Sequence, residues 1–364
     1  MKIIKSKLPS AGFITIKKAE IMKKYSFKND YSEGCHPNIL EALIKTNLRQ
    51  QNGYGYDDYC EEAKLLIKQK MNNDDADIHF VSGGTQANLL VISSILRPHE
   101  SVISAETGHI FTNETGAIEA TGHKVHGLAT SDGKLKPEHI QSVLDLHTNK
   151  PHQVKQKLVY ISNSTEIGTI YKKKELQELS EFCKTNDLYL FMDGARLGQA
   201  LTSEINDLTL EDIANLTDVF YLGGTKNGAL LGEAIIITNK KLKEEFGFHI
   251  KQKGAMLAKG RLLGIQFSEL MKNELYFDLA KHSNVQAMKI KSAFQKKGFQ
   301  FLAETFTNQI FPILSNSQIE KLAENFDFYI WKKVNEERAA IRIITSWATP
   351  DKIVDDFIIN INQL

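Results

Sequence analysis

Cysteine is scarce in this sequence, with three residues among 364. Cys35, Cys60 and Cys183 form neither a paired framework nor a spacing that matches a metal-binding motif. A disulfide-stabilised secreted domain is therefore not expected, and no metal site is predicted. Unpaired cysteines suit a reducing compartment, so we predict a cytoplasmic protein.

The sequence also lacks an excess of one charge and a long apolar run. Lysine and arginine number 45 against 44 aspartates and glutamates, which leaves no general field to attract nucleic acid or an anionic membrane. No stretch approaches the ~20 apolar residues that span a bilayer. The amino-terminal residues do not have the pattern of a signal peptide. We therefore expect neither nucleic acid nor a membrane as a partner.

The pattern of strands and helices is more informative than these absences. From Asp77 to Thr238, short apolar strands alternate with helical segments, which predicts a largely parallel sheet wrapped by helices. The pattern changes near Gly298, where a smaller α+β domain is expected to follow. The predicted units are an arm at 1–30, a large domain at 31–259, a long connecting helix at 260–298, and a small domain at 299–364 with parts of 1–60.

The central stretch is Asp218 to Gly228, where an apolar strand runs into a glycine-rich turn that carries Lys226. Glycines let the backbone approach a ligand closely. A lysine in a partly dry pocket loses its proton more readily and becomes a nucleophile toward carbonyl groups. A nucleotide-binding P-loop competes with this interpretation, but its lysine precedes the hydroxyl residue, whereas Thr225 comes before Lys226. An exposed lysine in a turn is the other alternative.

A second motif follows the strand at Asp77 to Val81, where residues 82–88 read Ser-Gly-Gly-Thr-Gln-Ala-Asn. This order, in which a strand is followed by a glycine pair, a hydroxyl residue and a helix, is typical of an anion-binding site. The free N–H groups of the loop and the positive end of the helix dipole would both attract the anion. A phosphate group fits there. The alternative is that Thr85 only caps the helix.

The third motif is Asp-Gly-Ala-Arg at 193–196, after the apolar strand that begins at Leu188. Ligands bind at the carboxyl ends of strands in open α/β sheets. A buried carboxylate there is costly unless a cation or hydrogen-bond donors compensate it. Two interpretations stay open: Asp193 and Arg196 form a structural ion pair, or Asp193 holds a ligand cation while Arg196 meets a ligand anion.

Together the motifs resemble those of the fold-type I pyridoxal-phosphate enzymes, and within them the threonine aldolase and β-eliminating lyase group. The resemblance covers nearly the whole chain and rests on the motifs at 82–88 and 193–196, on His109, on Lys226 and on Ile-Arg-Ile-Ile-Thr-Ser around Arg342. It implies an aspartate aminotransferase-like α/β fold, with a large, mostly parallel seven-stranded sheet domain and a small carboxyl-terminal α+β domain. It also implies pyridoxal 5'-phosphate (PLP) as the cofactor.

The resemblance gives the matched residues roles toward this cofactor. Lys226 would hold PLP covalently and move a proton at the substrate α-carbon. Asp193 would pair with the ring nitrogen and keep it protonated. Gly84 and Thr85 would bind the phosphate, with Thr225 as a helper.

Other residues are expected to face the substrate or the ring. His109 would stack on the ring and accept a proton. Arg342 would bind the substrate carboxylate, since arginine binds carboxylates through two hydrogen bonds, and Arg196 would lie near the same anion and the ring oxygen. Asn29 falls where the family often has a serine that touches the substrate.

One position departs from the pattern of threonine aldolases. They commonly have a second histidine in the loop at 162–168, where this chain has Glu166. A carboxylate can act as the base for a β-hydroxyl group if burial raises its pKa. Glu166 could also be a surface residue, and the exchange keeps β-elimination open as an activity.

In this family, a basic residue of a neighbouring subunit often contacts the cofactor phosphate. Lys251, Lys253, Lys259 and Arg261 lie in the corresponding region. We therefore expect a homo-oligomer, either a dimer that shares its active sites or a tetramer.

The expected activity is that of a low-specificity threonine aldolase, which cleaves threonine or allo-threonine to glycine and an aldehyde. One alternative is a PLP-dependent β-eliminating lyase that acts on cysteine, serine or an aromatic amino acid. A third hypothesis is a PLP-binding protein without catalysis. The presence of Lys226, Asp193 and Arg342 together argues against this last one.

Overall fold

The computed structural model describes residues 24–364. Most of the predicted arm at 1–30 therefore lies outside the described residues. The helices are α1 Pro37–Thr46, α2 Asp58–Lys70, α3 Gly84–Ile95, α4 His109–Thr112, α5 Pro137–Leu146, α6 Lys173–Thr185, α7 Leu197–Leu201, α8 Leu210–Leu216, α9 Phe246–Gln252, α10 Arg261–Met271, α11 Leu275–Lys296, α12 Asn316–Ala323 and α13 Asp351–Asn362. The strands are β1 Tyr25–Ser26, β2 Asp77–Val81, β3 Glu100–Ala105, β4 Val125–Leu128, β5 Lys155–Ser162, β6 Tyr189–Asp193, β7 Val219–Gly223, β8 Glu233–Ile237, β9 Gln309–Ile310, β10 Ile313–Ser315, β11 Phe326–Asp327, β12 Tyr329–Lys333 and β13 Arg338–Ile344.

Seven strands of the described chain form the large sheet, in the order β2-β8-β7-β6-β5-β3-β4. β8 runs antiparallel to β2 and β7, while the other neighbours are parallel. The segments that follow β2, β3, β5, β6 and β7 therefore meet at one edge of the sheet, and β8 begins at that edge. The predicted α/β fold with a mostly parallel seven-stranded sheet is confirmed.

Helices cover both faces of this sheet, so its strands are apolar on both sides. In β7, Phe220 and Leu222 belong to one buried cluster, whereas Val219 and Tyr221 belong to the cluster on the opposite face. All four side chains are fully or almost fully buried. The sheet is thus a rigid support, and only the residues at its strand ends are available to a ligand.

The smaller layer consists of an antiparallel sheet and a separate two-stranded parallel sheet, and it includes residues from both ends of the described chain. β13 pairs with β9, β10 and β12. β1 lies parallel to β11, and Phe27 packs its ring 4.9 Å from that of Phe357. These contacts bring residues 25–27 into the same core as α11 and α13. The predicted small α+β unit is present.

The region at 260–298 differs from the predicted single long helix. It contains α10 and α11, which are separated by a short 3-10 turn at Lys272–Glu274. Asn273 and Glu274 have φ angles of 50° and 61°, in the left-handed region that interrupts a helix. The predicted domain boundaries on either side of this region stay predictions.

Within residues 24–364, every helix is too short or too polar to cross a bilayer.

Candidate active site

A cavity of about 700 Å³ lies where the strand ends of the large sheet face residues 29–31 and the strands β12 and β13. The ten residues that the sequence assigned to catalysis, to the cofactor or to the substrate within one subunit all line it: Asn29, Gly84, Thr85, His109, Glu166, Asp193, Arg196, Thr225, Lys226 and Arg342. Arg342 is 314 positions from Lys28, whose carbonyl it approaches. The fold therefore gathers candidates from both ends of the chain into one site.

Asp193 lies at the end of β6, opposite Ser162 at the end of β5. Its carboxylate accepts hydrogen bonds from the Tyr160 hydroxyl at 2.5 Å, from the Asn88 amide at 3.2 Å and from the Ala195 N–H at 2.9 Å. Burial alone would raise the pKa of Asp193, but the neighbouring His109 and the bond from Tyr160 outweigh it and lower the pKa. Asp193 is therefore a buried anion.

The glycine of the Asp-Gly-Ala-Arg motif is required by a close backbone crossing. A Cβ atom on Gly194 would lie 1.8 Å from the Tyr221 carbonyl oxygen. A Cβ atom on Gly223 would likewise lie 2.4 Å from the Ala195 carbonyl oxygen. Only glycines allow the ends of β6 and β7 to approach this closely, which fixes Asp193 next to the turn that carries Lys226.

His109 begins α4, directly after the turn that follows β3. Its Nδ1 lies 2.8 Å from the buried carboxylate of Glu114, and Asn88 donates to the same Glu114 oxygen at 2.7 Å. Since Asn88 also donates to Asp193, one chain of polar contacts joins the two acidic groups to the imidazole. The Glu114 contact favours a hydrogen on Nδ1 and fixes the orientation of the imidazole ring.

Glu166 is held in the loop after β5. Its Oε1 accepts the Ser162 hydroxyl at 2.7 Å and the His109 backbone N–H at 3.0 Å. Burial, and then the charge of Asp193, raise the pKa of Glu166. The alternative of a surface residue at this position is wrong, because the side chain lines the cavity.

Lys226 lies on the turn between β7 and β8. Gly224 and Thr225 both donate their N–H groups to the Gly232 carbonyl, at 3.0 and 3.1 Å, and so close the turn. The Thr225 hydroxyl accepts the Gly232 N–H at 3.0 Å, which leaves its own hydrogen free to donate. Burial, and then the charge of Arg196, lower the pKa of Lys226. The amine therefore loses its proton more readily than an exposed lysine, which makes it more available as a nucleophile.

The first turn of α3 presents free backbone donors to the cavity. Gly83 precedes the helix, and no side chain caps it, so the alternative that Thr85 caps this helix is wrong. The Ser82 N–H and hydroxyl both bind the Gln86 side chain instead, at 3.0 and 2.9 Å. A Cβ atom on Gly84 would lie 3.1 Å from the Tyr221 hydroxyl. This geometry suits an anion at the positive end of a 12-residue helix.

Arg196 forms its ion pair with Asp30 rather than with Asp193. Its Nε and Nη2 donate to the two oxygens of Asp30 at 2.7 and 3.0 Å, and Asn308 donates to Asp30 at 2.9 Å. Burial would raise the pKa of Asp30, but Arg196 and Lys226 lower it. The structural ion pair considered for Asp193 and Arg196 is therefore not formed.

Arg342 has no such acidic partner within the described residues. Its guanidinium carbon lies 4.6 Å from the Trp331 ring centre and 5.5 Å from that of Tyr329. Its Nε is buried without a hydrogen-bond acceptor in this part of the chain. Burial, and then the charge of Arg196, lower the pKa of Arg342. A buried guanidinium with an unused donor is suited to bind an anion that enters the cavity.

Asn29 shapes the turn at the mouth of the cavity. Its side-chain oxygen accepts the Tyr31 N–H at 3.0 Å and the Ser32 hydroxyl at 2.9 Å.

The four basic candidates for a neighbouring phosphate do not line this cavity. Arg261 donates to the Thr46 carbonyl, and Lys251 lies 4.6 Å from the Tyr54 ring centre.

The residues fit pyridoxal 5'-phosphate as a group. The uncapped start of α3 offers donors for a phosphate, Lys226 offers an amine for a carbonyl, and Asp193 offers a buried anion for a protonated ring nitrogen.

Sequence reasoning missed four residues of the site, which are Asp30, Asn88, Glu114 and Tyr160. Asn88 is the last residue of the motif at 82–88, and Glu114 follows His109 by five positions, but their partners become evident only in the fold.

Comparison with known proteins agrees with this geometry. A low specificity L-threonine aldolase from a Pseudomonas species is 32% identical over 93% of this chain and 97% of its own length. The solved structure of Leishmania major threonine aldolase matches with a TM-score of 0.92 and 49% identity, over 93% of this chain and 99% of that one.

The fold alone is shared with an aspartate aminotransferase from Thermus thermophilus, at 13% identity and a TM-score of 0.69 over 94% of this chain and 91% of that one. This match confirms the predicted aspartate aminotransferase-like fold. The family model described as beta-eliminating lyase matches residues 33–317. That match covers most of the chain, and the protein belongs to the beta-eliminating lyase family.

Proposed function

We propose that this protein is a PLP-dependent carbon–carbon lyase that cleaves a β-hydroxy-α-amino acid, threonine or allo-threonine, to glycine and an aldehyde. The observation that carries the proposal is the single cavity that holds Lys226, Asp193, Glu166 and Arg342 together. The threonine aldolases among its relatives support the choice of substrate.

The residues at the strand ends are assigned to the cofactor. Lys226 would hold it covalently, and Asp193 would keep the ring nitrogen protonated. Gly84 and Thr85 would donate their N–H groups to the phosphate, and Thr225 would add its hydroxyl. When bound, PLP would accept the electron pair that is released as the Cα–Cβ bond breaks.

Arg342 is assigned to the substrate carboxylate. Asp30 already neutralises Arg196 through two hydrogen bonds, whereas the Nε of Arg342 has no acceptor among the described residues. Arg342 is therefore the stronger site for an incoming carboxylate, with Arg196 beside it. Asn29, at the mouth of the cavity, is assigned to the same substrate.

Glu166 is assigned as the base that takes the β-hydroxyl proton. Its raised pKa makes it a stronger base than an ordinary carboxylate. The Ser162 hydroxyl and the His109 N–H fix one of its oxygens in place. His109 would lie against the ring face, where Glu114 holds its imidazole orientation. Lys226 would return a proton to the substrate α-carbon.

A β-eliminating lyase is the second candidate. In that reaction Lys226 removes the α-proton and a leaving group departs from Cβ, so a base for a β-hydroxyl group is not needed. The family description and the exchange of a histidine for Glu166 favour this alternative. Cysteine, serine and aromatic amino acids are its candidate substrates.

A substrate panel with product identification separates the two activities. The protein, loaded with PLP, is incubated with both threonine diastereomers, serine, cysteine and an aromatic amino acid. Glycine and acetaldehyde from threonine are the expected products. Pyruvate and ammonia from serine or cysteine, without glycine from threonine, would instead identify a β-eliminating lyase.

We further propose that the protein is a homo-oligomer in which a second copy covers α1. Leu40 and Ile44, four residues apart on α1, are 47% and 78% exposed, and Leu48, just after the helix ends, is 94% exposed, so this part of the surface carries three exposed apolar side chains. The His36 N–H at the start of α1 donates to the Gly228 carbonyl at 2.8 Å. The start of α1 therefore lies beside the turn that carries Lys226, and a second copy on this helix would approach that side of the cavity.

Sedimentation of wild type and of the double variant Ile44→Asp, Leu48→Asp tests this assembly. The expected result is a dimer or tetramer for the wild type and smaller species for the variant. Leu146→Asp, which changes another exposed leucine, serves as the control. A monomeric wild type would rule the assembly out.

The basic residue that reaches a neighbouring phosphate is then one of Lys251, Lys253 and Lys259. Arg261 is less available, because its guanidinium binds the carbonyls of Thr46 and Arg49. We also propose a cytoplasmic location, which the three buried, unpaired cysteines support.

A further inference from the structure

Glu233 lines the cavity, although its sequence context carries no motif. It begins β8 and is 3% exposed. In the sheet it lies directly opposite Val81 on β2 and Gly223 on β7. Those two residues immediately precede the loop at 82–85 and the turn that carries Lys226. Glu233 is thus placed between the proposed phosphate site and the reactive lysine.

The contacts of Glu233 are few for a buried carboxyl group. Its Oε2 accepts the Gly224 N–H at 3.0 Å. The Thr225 hydroxyl is a second donor to this carboxyl group. Within residues 24–364, no cation lies within ion-pair distance of it. An ionised carboxylate in such surroundings is costly, because one backbone N–H group and one hydroxyl replace its water shell.

The charged and titratable groups around Glu233 come from the elements packed against it. They are Lys226 on the turn, Tyr221 on β7, Asp193 on β6 and Tyr276 on α11. The end of β2 contributes only the non-titrating Val81, which Ser82 follows. Burial raises the pKa of Glu233 to about 8, with Lys226 as the largest opposing influence. The pKa of each tyrosine is raised by burial, so both stay neutral up to pH 9.

A phosphate dianion at the start of α3 would make an ionised Glu233 still less favourable. Two anions would then lie close together in one cavity and repel each other. Lys226 also ceases to be a plain ammonium group when it is linked to a carbonyl. A proton on Glu233 removes the repulsion from the phosphate and also the need for a positive charge on Lys226. The neutral acid in addition has an O–H group that can donate to a phosphate oxygen.

We propose that Glu233 is a cofactor-positioning residue that stays protonated in the loaded protein, with Gly224 fixing one oxygen while the other donates to the cofactor phosphate. This inference rests on the proposed assignment of residues 82–85 to that phosphate. It predicts that raising the pH through the titration of Glu233 weakens cofactor binding.

The test compares the Kd of apoprotein for PLP at pH 7 and pH 9 in wild type and Glu233→Gln. Glutamine keeps the acceptor for Gly224 and supplies a donor, but it cannot ionise. The cofactor itself titrates alike in both proteins, so the ratio of the two Kd values reports Glu233 together with its influence on Lys226, whose pKa the charge of Glu233 raises. That ratio should be near one at pH 7, and wild type should bind about tenfold more weakly at pH 9. Glu244→Gln, at an exposed site, should follow wild type at both pH values.

Equal Kd values for wild type and Glu233→Gln at pH 9 would overturn the inference, since a purely structural role predicts no difference in the pH profile. Failure of wild type to bind PLP at all would instead refute the proposed function. If Glu233→Gln does not fold, the inference is tested on wild type alone. Its Kd for PLP is then compared with its Kd for pyridoxal, which lacks the phosphate. The affinity that the phosphate adds should shrink between pH 7 and 9, and a constant contribution would reject the proposal.

Discussion

The two sides of the cavity differ in how their polar groups are used. On the sheet-edge side, formed by the ends of the large-sheet strands, Asp193 accepts three hydrogen bonds. Asn88 and Glu114 extend the contacts to His109. On the small-sheet side, formed by residues 28–31 with β12 and β13, Arg342 keeps a buried donor that has no acceptor in the described chain.

This difference suggests a division of labour between the two sides. Groups that are already fixed by hydrogen bonds need no reorganisation when a ligand binds, which suits a cofactor that stays in place. An open donor on an aromatic support suits a substrate that enters and leaves. Variants of Lys226 and Asp193 on the sheet-edge side should therefore change the cofactor, and a variant of Glu166 there should change kcat, whereas variants on the small-sheet side should change the KM and leave the cofactor intact.

The largest effect is expected for Lys226→Ala on the sheet-edge side. This change removes the amine that would hold PLP, so kcat should fall by roughly 10⁴-fold or more, the scale seen when a covalent catalyst is deleted. The visible absorbance band of the attached cofactor should also be lost. Lys240→Ala, at an exposed lysine, should keep both the band and the activity. A band that survives in Lys226→Ala would assign the attachment to another residue.

Glu166→Gln should have the next largest effect, with a loss of roughly 10²–10⁴-fold in aldol cleavage. The pKa of Glu166 is raised by burial and by Asp193. As the pH falls through that pKa the base is protonated, so wild-type kcat should fall on the acid side at a higher pH than an ordinary carboxyl group would give. This acid limb should be absent from the residual activity of Glu166→Gln.

The same variant distinguishes the two candidate reactions. β-Elimination does not require a base for a hydroxyl group, so it should persist in Glu166→Gln if it is the native activity. Glu178→Gln on the exposed face of α6 is the matched control and should keep the wild-type profile. An unchanged pH profile of aldol cleavage in Glu166→Gln would show that His109 or water takes the proton.

Asp193→Asn should cost about 1.5–3 kcal/mol, the scale of hydrogen bonds to charged groups. Asparagine can still accept from the Tyr160 hydroxyl, but it carries no charge for a protonated ring nitrogen. The expected result is a fall in kcat of roughly 10- to 150-fold together with a shifted absorbance of the bound cofactor. Asp187→Asn, at a surface ion pair, should change neither value measurably. A normal cofactor spectrum in Asp193→Asn would contradict the assignment.

The sequence could reveal the sheet-edge side better than the small-sheet side. Asp193 and Lys226 belong to short motifs in which glycines and a strand end report their chemistry locally. Asp30 has no such context, and its partner Arg196 lies 166 positions away. Glu114 and Tyr160 are single polar residues whose roles depend on which strands become neighbours.

The bounds of irregular segments are likewise difficult to predict from the sequence. The break between α10 and α11 depends on two residues with positive φ, Asn273 and Glu274, that are neither glycine nor proline. The short strands β9 and β10 are likewise set by pairing with β13 across the chain. The bounds of β9 and β10 depend on contacts with a distant strand, whereas the strands of the large sheet are evident from their runs of apolar residues.

Arg342→Lys on the small-sheet side should have the smallest effect and tests the comparison most directly. Lysine keeps the positive charge but loses the paired donors and the flat contact with Trp331. The KM for threonine should rise roughly tenfold, the worth of one hydrogen bond of about 1.4 kcal/mol. The absorbance and the Kd of PLP should remain those of wild type. Arg338→Lys, on the same strand but outside the cavity, is the matched control. If Arg342→Lys instead released the cofactor with an unchanged KM, the two sides would share one function and the division between them would be wrong.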